Sequence, residues 1–250
     1  MTRRRFFAPP GAFNFQNQTV VLTAEEARHL RDALRLNPGD EVFVFNGIGS
    51  EYRCLVSHSR RDTVGLDLQS EVEPARPESQ LKLVLAVALL KGEKFDLVVQ
   101  KTTELGVFKI IPVLTSHADI QLRKESDANK RVIRWQRIAL EAAKQSGRAV
   151  VPEITQAIAV GSVLQLEDLG LCLMFSERDG KSLREVIDKP LVGETMTALI
   201  GSEGGWADEE IDAAAVQGWG VVTLGGRILR AETAAIAVAA ILQNSFGDLK

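Results

Sequence analysis

The last third of the chain contains Ile200-Gly201-Ser202-Glu203-Gly204-Gly205-Trp206 and, a short distance on, Leu224-Gly225-Gly226-Arg227-Ile228-Leu229-Arg230-Ala231-Glu232-Thr233. Each stretch closes a β-like apolar run, at Thr195–Ile200 and Gly220–Leu224. Each then leads into a helix-like segment, at about Asp208–Gln217 and Glu232–Ser245. An open α/β sheet builds its small-molecule site from such turns, in the crevice beyond the carboxyl ends of its strands. Glycine suits the position because it lets a ligand approach the backbone closely. Glu203 narrows the ligand class. A turn shaped for phosphate rarely sets a carboxylate among its own amides, because the anions repel. This turn suits hydroxyls, amino groups or a cationic ligand. A single glycine turn reads as a structural device closing a βα unit. Two of them, on strands that can be neighbours, point to convergence on one ligand. Arg230 and Glu232 flank the start of the last helix, where charged groups are often presented toward a site.

Outward from these turns the pattern is repetitive. Leu81–Leu89 is a continuous apolar run, as expected of a strand buried on both faces. A helix follows over about Glu93–Leu105 with Gly106 as its C-cap, then a strand at Val107–Leu114. A long helix runs from about Ala128 to Gln145 and stops at Gly147. A strand at Leu169–Phe175 and a short helix at Leu183–Ile187 complete the alternation. It predicts an α/β fold, a largely parallel sheet with helices on both faces. The helix from Ala234 to Leu242 is apolar on every side, which places it in the core or against a second subunit.

The first seventy or so residues read differently. Short alternating runs lie at Thr19–Leu22, Glu41–Phe45, Glu51–Ser57 and Thr63–Leu68, with a hairpin-like turn at Asn46-Gly47-Ile48-Gly49. One helix interrupts them. Thr23 and Glu26 have capping-box spacing, Ala27, Leu30 and Leu34 supply an apolar stripe, and Asn37-Pro38-Gly39 stops it. Short strands with one helix suggest a small barrel. Glu73–Gln80 reads as an extended polar linker. The expected organisation is a β-barrel domain over 1–72, a linker over 73–80 and an α/β domain over 81–250.

Composition sets bounds on function. With 250 residues, 45% hydrophobic and 25% charged, the chain can bury a sizeable core. A formal net charge of −3 gives no global pull toward nucleic acid or an anionic membrane, so any RNA contact needs local basic patches. Cys54 and Cys172 make neither a disulfide framework nor a zinc motif, which fits a reducing cytoplasm. No apolar run reaches the roughly 20 residues that span a bilayer. Arg3-Arg4-Arg5-Phe6-Phe7 has a twin-arginine look. The Pro9, Pro10, Asn14, Gln16 and Asn17 that follow cannot form the hydrophobic part of an export signal.

P-loop and dinucleotide glycine patterns are missing. Ser202 lies outside a G-x-S-x-G elbow and has no nearby histidine. His29, His58 and His117 are scattered, and His117 with Asp119 lacks further ligands, so no metal site is expected. Basic residues cluster at Arg3, Arg4 and Arg5 beside two phenylalanines, at Arg28, Arg31 and Arg35 on one helical face, and at Arg60 and Arg61. Lys130, Arg131, Arg134, Arg137 and Lys144 add a second surface on the long helix, followed by Arg148. Each cluster alone reads as a solvated face. Together on a small barrel they suggest phosphate contacts.

These residues carry a family resemblance. Arg5-Phe6-Phe7, His29-Leu30 with Leu34-Arg35, Lys101-Thr102-Thr103-Glu104-Leu105-Gly106-Val107, Glu141-Ala142-Ala143-Lys144-Gln145-Ser146-Gly147-Arg148 and both glycine turns resemble the RsmE family, nearly end to end and in order. These are small-subunit ribosomal RNA uridine-N3 methyltransferases of the SPOUT superfamily. One departure is Ser202, where the family usually has proline; it restores φ freedom and an N–H to the turn. The resemblance implies a trefoil-knotted parallel sheet, an N-terminal PUA-like barrel that helps bind RNA, a homodimer and S-adenosylmethionine as cofactor.

It maps the cofactor loops onto Met174 and Phe175, onto Leu199, Gly201, Glu203 and Gly204, and onto Leu224, Gly225, Ile228 and Leu229. Arg230 is expected to stabilise charge on the target base, with Glu232 as a catalytic carboxylate. Arg3, Arg4, Arg5, Arg28, Arg31, Arg35 and Arg148 are expected at the RNA, within small-subunit rRNA or an assembled subunit. The alternative reading is a non-catalytic RNA-binding or assembly protein whose glycine turns are merely structural.

Overall fold

The computed structural model describes residues 3–60, 62–118, 125–178 and 180–249; Arg61 and Asp119 lie outside them. The chain runs β1 (Arg5–Phe7), β2 (Phe13–Asn14), β3 (Thr19–Thr23), α1 (Ala24–Arg28), β4 (Glu41–Phe45), β5 (Glu51–Ser59), β6 (Thr63–Val72), β7 (Lys82–Ala88) and α2 (Lys94–Glu104). It continues through β8 (Lys109–Leu114), α3 (Glu125–Ser146), β9 (Glu153–Ile154), β10 (Ile158–Ala159), α4 (Val160–Val163), β11 (Leu171–Phe175) and β12 (Lys181–Ser182). The last elements are α5 (Leu183–Ile187), β13 (Thr195–Ile200), α6 (Asp208–Val216), β14 (Gly220–Thr223) and α7 (Ala231–Phe246). Two compact units form. One takes the chain up to residue 78 together with 143–151, and the other takes 79–142 and the chain from 152 onward.

In the first unit the strands order as β1-β4-β5-β6-β3-β2, antiparallel except for the parallel β1–β4 pair. Alternation along β4 and β5 sends Val42, Val44, Cys54 and Val56 inward, where they meet Phe6, Leu22, Leu30 and Leu66. Register shifts between Arg53 and Cys54 and between Val56 and His58 bend the β5–β6 ribbon, as bulges do.

The helix differs from its sequence pattern. The Thr23 side chain makes no cap bond. Glu26 is drawn away, accepting from the Phe7 amide at 3.3 Å and the Lys144 ammonium at 2.5 Å. The capping box therefore does not form. After Arg28 the chain widens into a π-turn over His29–Ala33, with the Leu34 amide bonded to the His29 carbonyl. The wider turn carries Leu34 off the apolar stripe: Ala27 and Leu30 are buried, while Leu34 is 41% exposed.

The basic N-terminus is an ordered edge strand, β1, paired in parallel with β4. Phe6 sits in the core, and Arg5 bonds the Glu51 carboxylate at 2.9 Å and the Lys144 and Arg148 carbonyls at 3.3 and 2.9 Å. Glu51 is fully buried and also accepts from Arg3 at 3.0 Å and from the Ala75 amide at 3.2 Å. Buried charge is tolerated only with such pairing. Arg148 is likewise buried, on Glu78 at 2.7 Å. The polar 73–78 segment is thus pinned along its length, with the Arg76 amide also bonded to the Gly147 carbonyl.

In the second unit the strands order as β10-β8-β7-β13-β11-β14-β12, with β9 also on β8, and every pairing is parallel. α2, α5 and α7 pack together on one face, and α4 and α6 on the other. β7 is buried throughout from Leu83 to Ala88, as its unbroken apolar run requires. β9, β10 and β12 are two residues each, too short for a periodic signal. α7 buries Ala235, Val238, Ala239 and Leu242, while Ile236, Ala237, Ala240 and Ile241 are only partly covered. Among the described residues no helix is long and apolar enough to cross a membrane.

Candidate cofactor site

β13 and β14 both pair with β11 and are not direct neighbours: Phe175 lies opposite Ile200 on one side and Val222 on the other. The loops leaving three parallel strands therefore open at one edge, with Ser176 and Glu177 between the two glycine turns. Together they wall a cavity of about 490 Å³. That lies within the range of roughly 300–1,000 Å³ typical of small-molecule sites.

The first turn is clamped. Trp206 is buried at 1% exposure, and its indole N–H donates to the Phe175 carbonyl at 2.8 Å. Arg178 donates to the Trp206 carbonyl at 2.6 Å, and His117 Nδ1 lies 3.1 Å from the Gly204 carbonyl. Gly204 is required by this approach: a Cβ there would lie 2.8 Å from the His117 Cβ and 3.0 Å from its carbonyl. Lys94, at the start of α2, reaches Glu203 Oε1 at 2.7 Å. That bond holds the Lys94 ammonium above the ordinary lysine range. Burial pushes the Glu203 carboxyl up, but the Lys94 hydrogen bond, a backbone N–H and the charges of Lys94 and Lys91 outweigh it. The carboxyl ends below its usual range.

The second turn is open. Gly225 and Gly226 have φ of 70° and 71°, the left-handed region, and nothing lies within 4 Å of a Cβ placed on either. Ile228 is 85% exposed. Arg230 caps α7 at the cavity's rim, and Glu232 follows in the helix's first turn.

Of the residues assigned to the cofactor, the structure brings Phe175, Gly201, Glu203, Gly204, Leu224, Gly225, Ile228 and Leu229 to the cavity wall, with Arg230 beside them. Met174 and Leu199 are not among them. Each is one residue before a strand's end, so alternation turns it into the core against Trp206 and Trp219. Glu232 is also absent from the lining: it is buried, and its Oε2 has no hydrogen-bond partner. Sequence reasoning missed Ser176, Glu177, Arg227 and the Lys94 contact. The charged lining is balanced, Glu177 and Glu203 against Arg227 and Arg230. Among the described residues no cluster of acidic, histidine or cysteine side chains could hold a metal ion.

Of the arginines assigned to RNA, Arg4, Arg28 and Arg35 are exposed, Arg35 with a left-handed φ of 53°. Arg31 is paired with Asp32 at 2.6 Å. Arg148 is buried on Glu78, Arg5 is largely covered and spends its guanidinium on Glu51 and two carbonyls, and Arg3 is held by the same carboxylate as Arg5, so these three are already engaged within the chain.

A parallel sheet with a glycine-walled cavity at its carboxyl edge, preceded in sequence by a small curled β unit, is an arrangement shared with the RNA methyltransferases that the chain is similar to. Residues 77–243 match the RNA methyltransferase domain family, and residues 22–68 match the RNA methyltransferase PUA domain. The chain belongs to the family of ribosomal RNA small subunit methyltransferase E. It is 31% identical over 222 residues to the Bacillus subtilis protein of that name, covering 86% of each. It is similar to the crystal structure of the Neisseria gonorrhoeae ribosomal RNA small subunit methyltransferase E bound to S-adenosyl methionine, with 30% identity, a TM-score of 0.87 and full coverage of both chains. A Legionella pneumophila methyltransferase in complex with the cofactor SAM is equally close in fold, with TM-score 0.87 and 31% identity over the full length of both chains.

Proposed function

We propose that the protein transfers a methyl group from S-adenosylmethionine to N3 of a uridine in small-subunit ribosomal RNA, in the cytoplasm. The cavity between the two glycine turns carries this reading. Its residues fit the cofactor: Glu177 and Glu203 suit positive charge, Arg227 and Arg230 suit a carboxylate, and the turns offer backbone groups in place of a phosphate cradle. Ser202 adds a buried hydroxyl without a hydrogen-bond partner. When bound, S-adenosylmethionine supplies an electrophilic methyl group on a sulfonium.

The chain's own residues do the rest. The clamped first turn fixes the cofactor's place, so that alignment with N3 carries much of the rate. Arg230, exposed at the rim, stabilises negative charge on the uracil oxygens as the N3 proton passes to solvent water at the open rim. Glu232, buried in the first turn of α7 two residues after Arg230 and outside the cavity wall, is a carboxylate beside the site and not one that touches the base. Arg4, Arg28 and Arg35 supply phosphate contacts from the β unit. The partly exposed Ile236, Ala237, Ala240 and Ile241 of α7 seat a second copy of the chain. Light scattering then gives a mass of twice the 27.3 kDa monomer, and a monomer at micromolar concentration refutes this.

Transfer of labelled methyl to small ribosomal subunits tests the main reading. The wild type labels one uridine at N3. Arg230→Ala loses roughly 100-fold or more in turnover while keeping its cofactor affinity in calorimetry. Near-normal turnover would remove Arg230 from the chemistry, and no labelling by the wild type would remove the function.

A further inference from the structure

Lys94 lies outside the cavity lining, yet it is bonded to Glu203, one of the two carboxylates within that lining. Local structure gives no reason for a lysine there. It occupies the first position of α2, after an N-cap without a side-chain bond, and a cation at a helix N-terminus opposes the helix dipole. Its ion pair is more than a third exposed on both sides, 37% and 38%, and such pairs contribute little to stability. What the pair does achieve is placement. Glu203 belongs to a turn otherwise built of glycine and serine, and among the described residues no other side chain is found hydrogen-bonded to its carboxylate. Lys94 also interacts electrostatically with Glu232 and Arg230, beyond the second turn. Glu232 Oε2 is buried without a hydrogen-bond partner. Among the described residues the Lys94 ammonium bonds Glu203 alone, at 2.7 Å; Glu232 acts on it only by charge.

We propose that Lys94 is a positioning residue of the cofactor site: through its bond to Glu203 it fixes the carboxylate that the first turn presents to the cofactor, without touching the cofactor itself. This rests on the reading of the cavity as the S-adenosylmethionine site. Among the described residues, the groups near this bond that titrate or carry charge include Lys91 and Lys94 ahead of and within α2, Glu232 and Arg230 at α7, Glu177 after β11 and His117 after β8.

Calorimetry with S-adenosylmethionine on the full chain is the test, using Lys94→Met, Lys94→Arg, Glu203→Gln and the double variant Lys94→Met/Glu203→Gln. Lys94→Met should weaken binding roughly three- to ten-fold, and Lys94→Arg should return it to within roughly two-fold of wild type. The double variant should bind no worse than Glu203→Gln alone, because Lys94 acts only through that carboxylate.

The pH profile adds a readout that general loosening of the fold would not give. The Glu203 carboxyl is depressed, so its contribution is present above the ordinary glutamate value, about 4.3, and is lost as pH falls through its lowered value. Removing Lys94 should move that acid limb upward in pH, and Glu203→Gln should abolish it in both backgrounds. Additive losses in the double variant, an unchanged limb, or wild-type affinity in Lys94→Met would each overturn the role. Absence of any binding by the wild type would instead sink the cofactor reading.

Discussion

The two glycine turns look alike in the sequence and are opposites in the structure. Residues 201–206 are tied down from four directions, by Phe175, Arg178, His117 and Lys94. Residues 225–228 have two left-handed glycines in open space and an isoleucine held out in solvent. The cavity therefore has one fixed wall and one adaptable wall. A fixed wall places a reacting atom; an adaptable one lets a ligand enter and then covers it. A single pocket made of two rigid turns would bind slowly, and one made of two loose turns would place nothing.

Substitutions can break this contrast. The largest effect is expected at the fixed wall. Trp206→Ala removes a buried ring and orphans the Phe175 carbonyl, which should cost about 3–5 kcal/mol in a denaturant titration and abolish measurable cofactor binding. Retention of binding would show that the clamp is dispensable. At the adaptable wall the cost is smaller and comes from backbone alone. Gly226→Ala meets no neighbouring atom but must hold φ near 71°, a penalty of about 1–2 kcal/mol visible as a lower melting temperature. Smallest in stability is Ile228→Ala, which should change folding by no more than about 0.5 kcal/mol. It should nevertheless weaken S-adenosylmethionine binding roughly five-fold, because the ligand would otherwise cover that apolar surface. Unchanged affinity would mean that Ile228 faces away from the bound cofactor.

Strands and helices were largely legible because burial imposes a period. The run at Leu81–Leu89 and the turn glycines at 201, 204 and 225 led to β7 and to the cavity directly. Legibility failed where one residue's neighbour decides its role. Met174 and Phe175 are adjacent and equally apolar, yet the strand's end gives one to the core and the other to the site. Arg5 reads as a cation for RNA until Glu51, distant in sequence, is found against it. Leu34 fits a helical stripe that a π-turn then interrupts. Lys94 has no local motif at all, since its partner is more than a hundred residues away.

The amino-acid order alone determined the parallel sheet, the glycine turns and the preference for a ligand other than phosphate, because hydrophobic period, φ freedom and charge are local properties. Only the tertiary structure decided which side chains reach the cavity, which arginines are consumed inside and which turn is held. Those outcomes depend on partners that folding brings together from far apart along the chain.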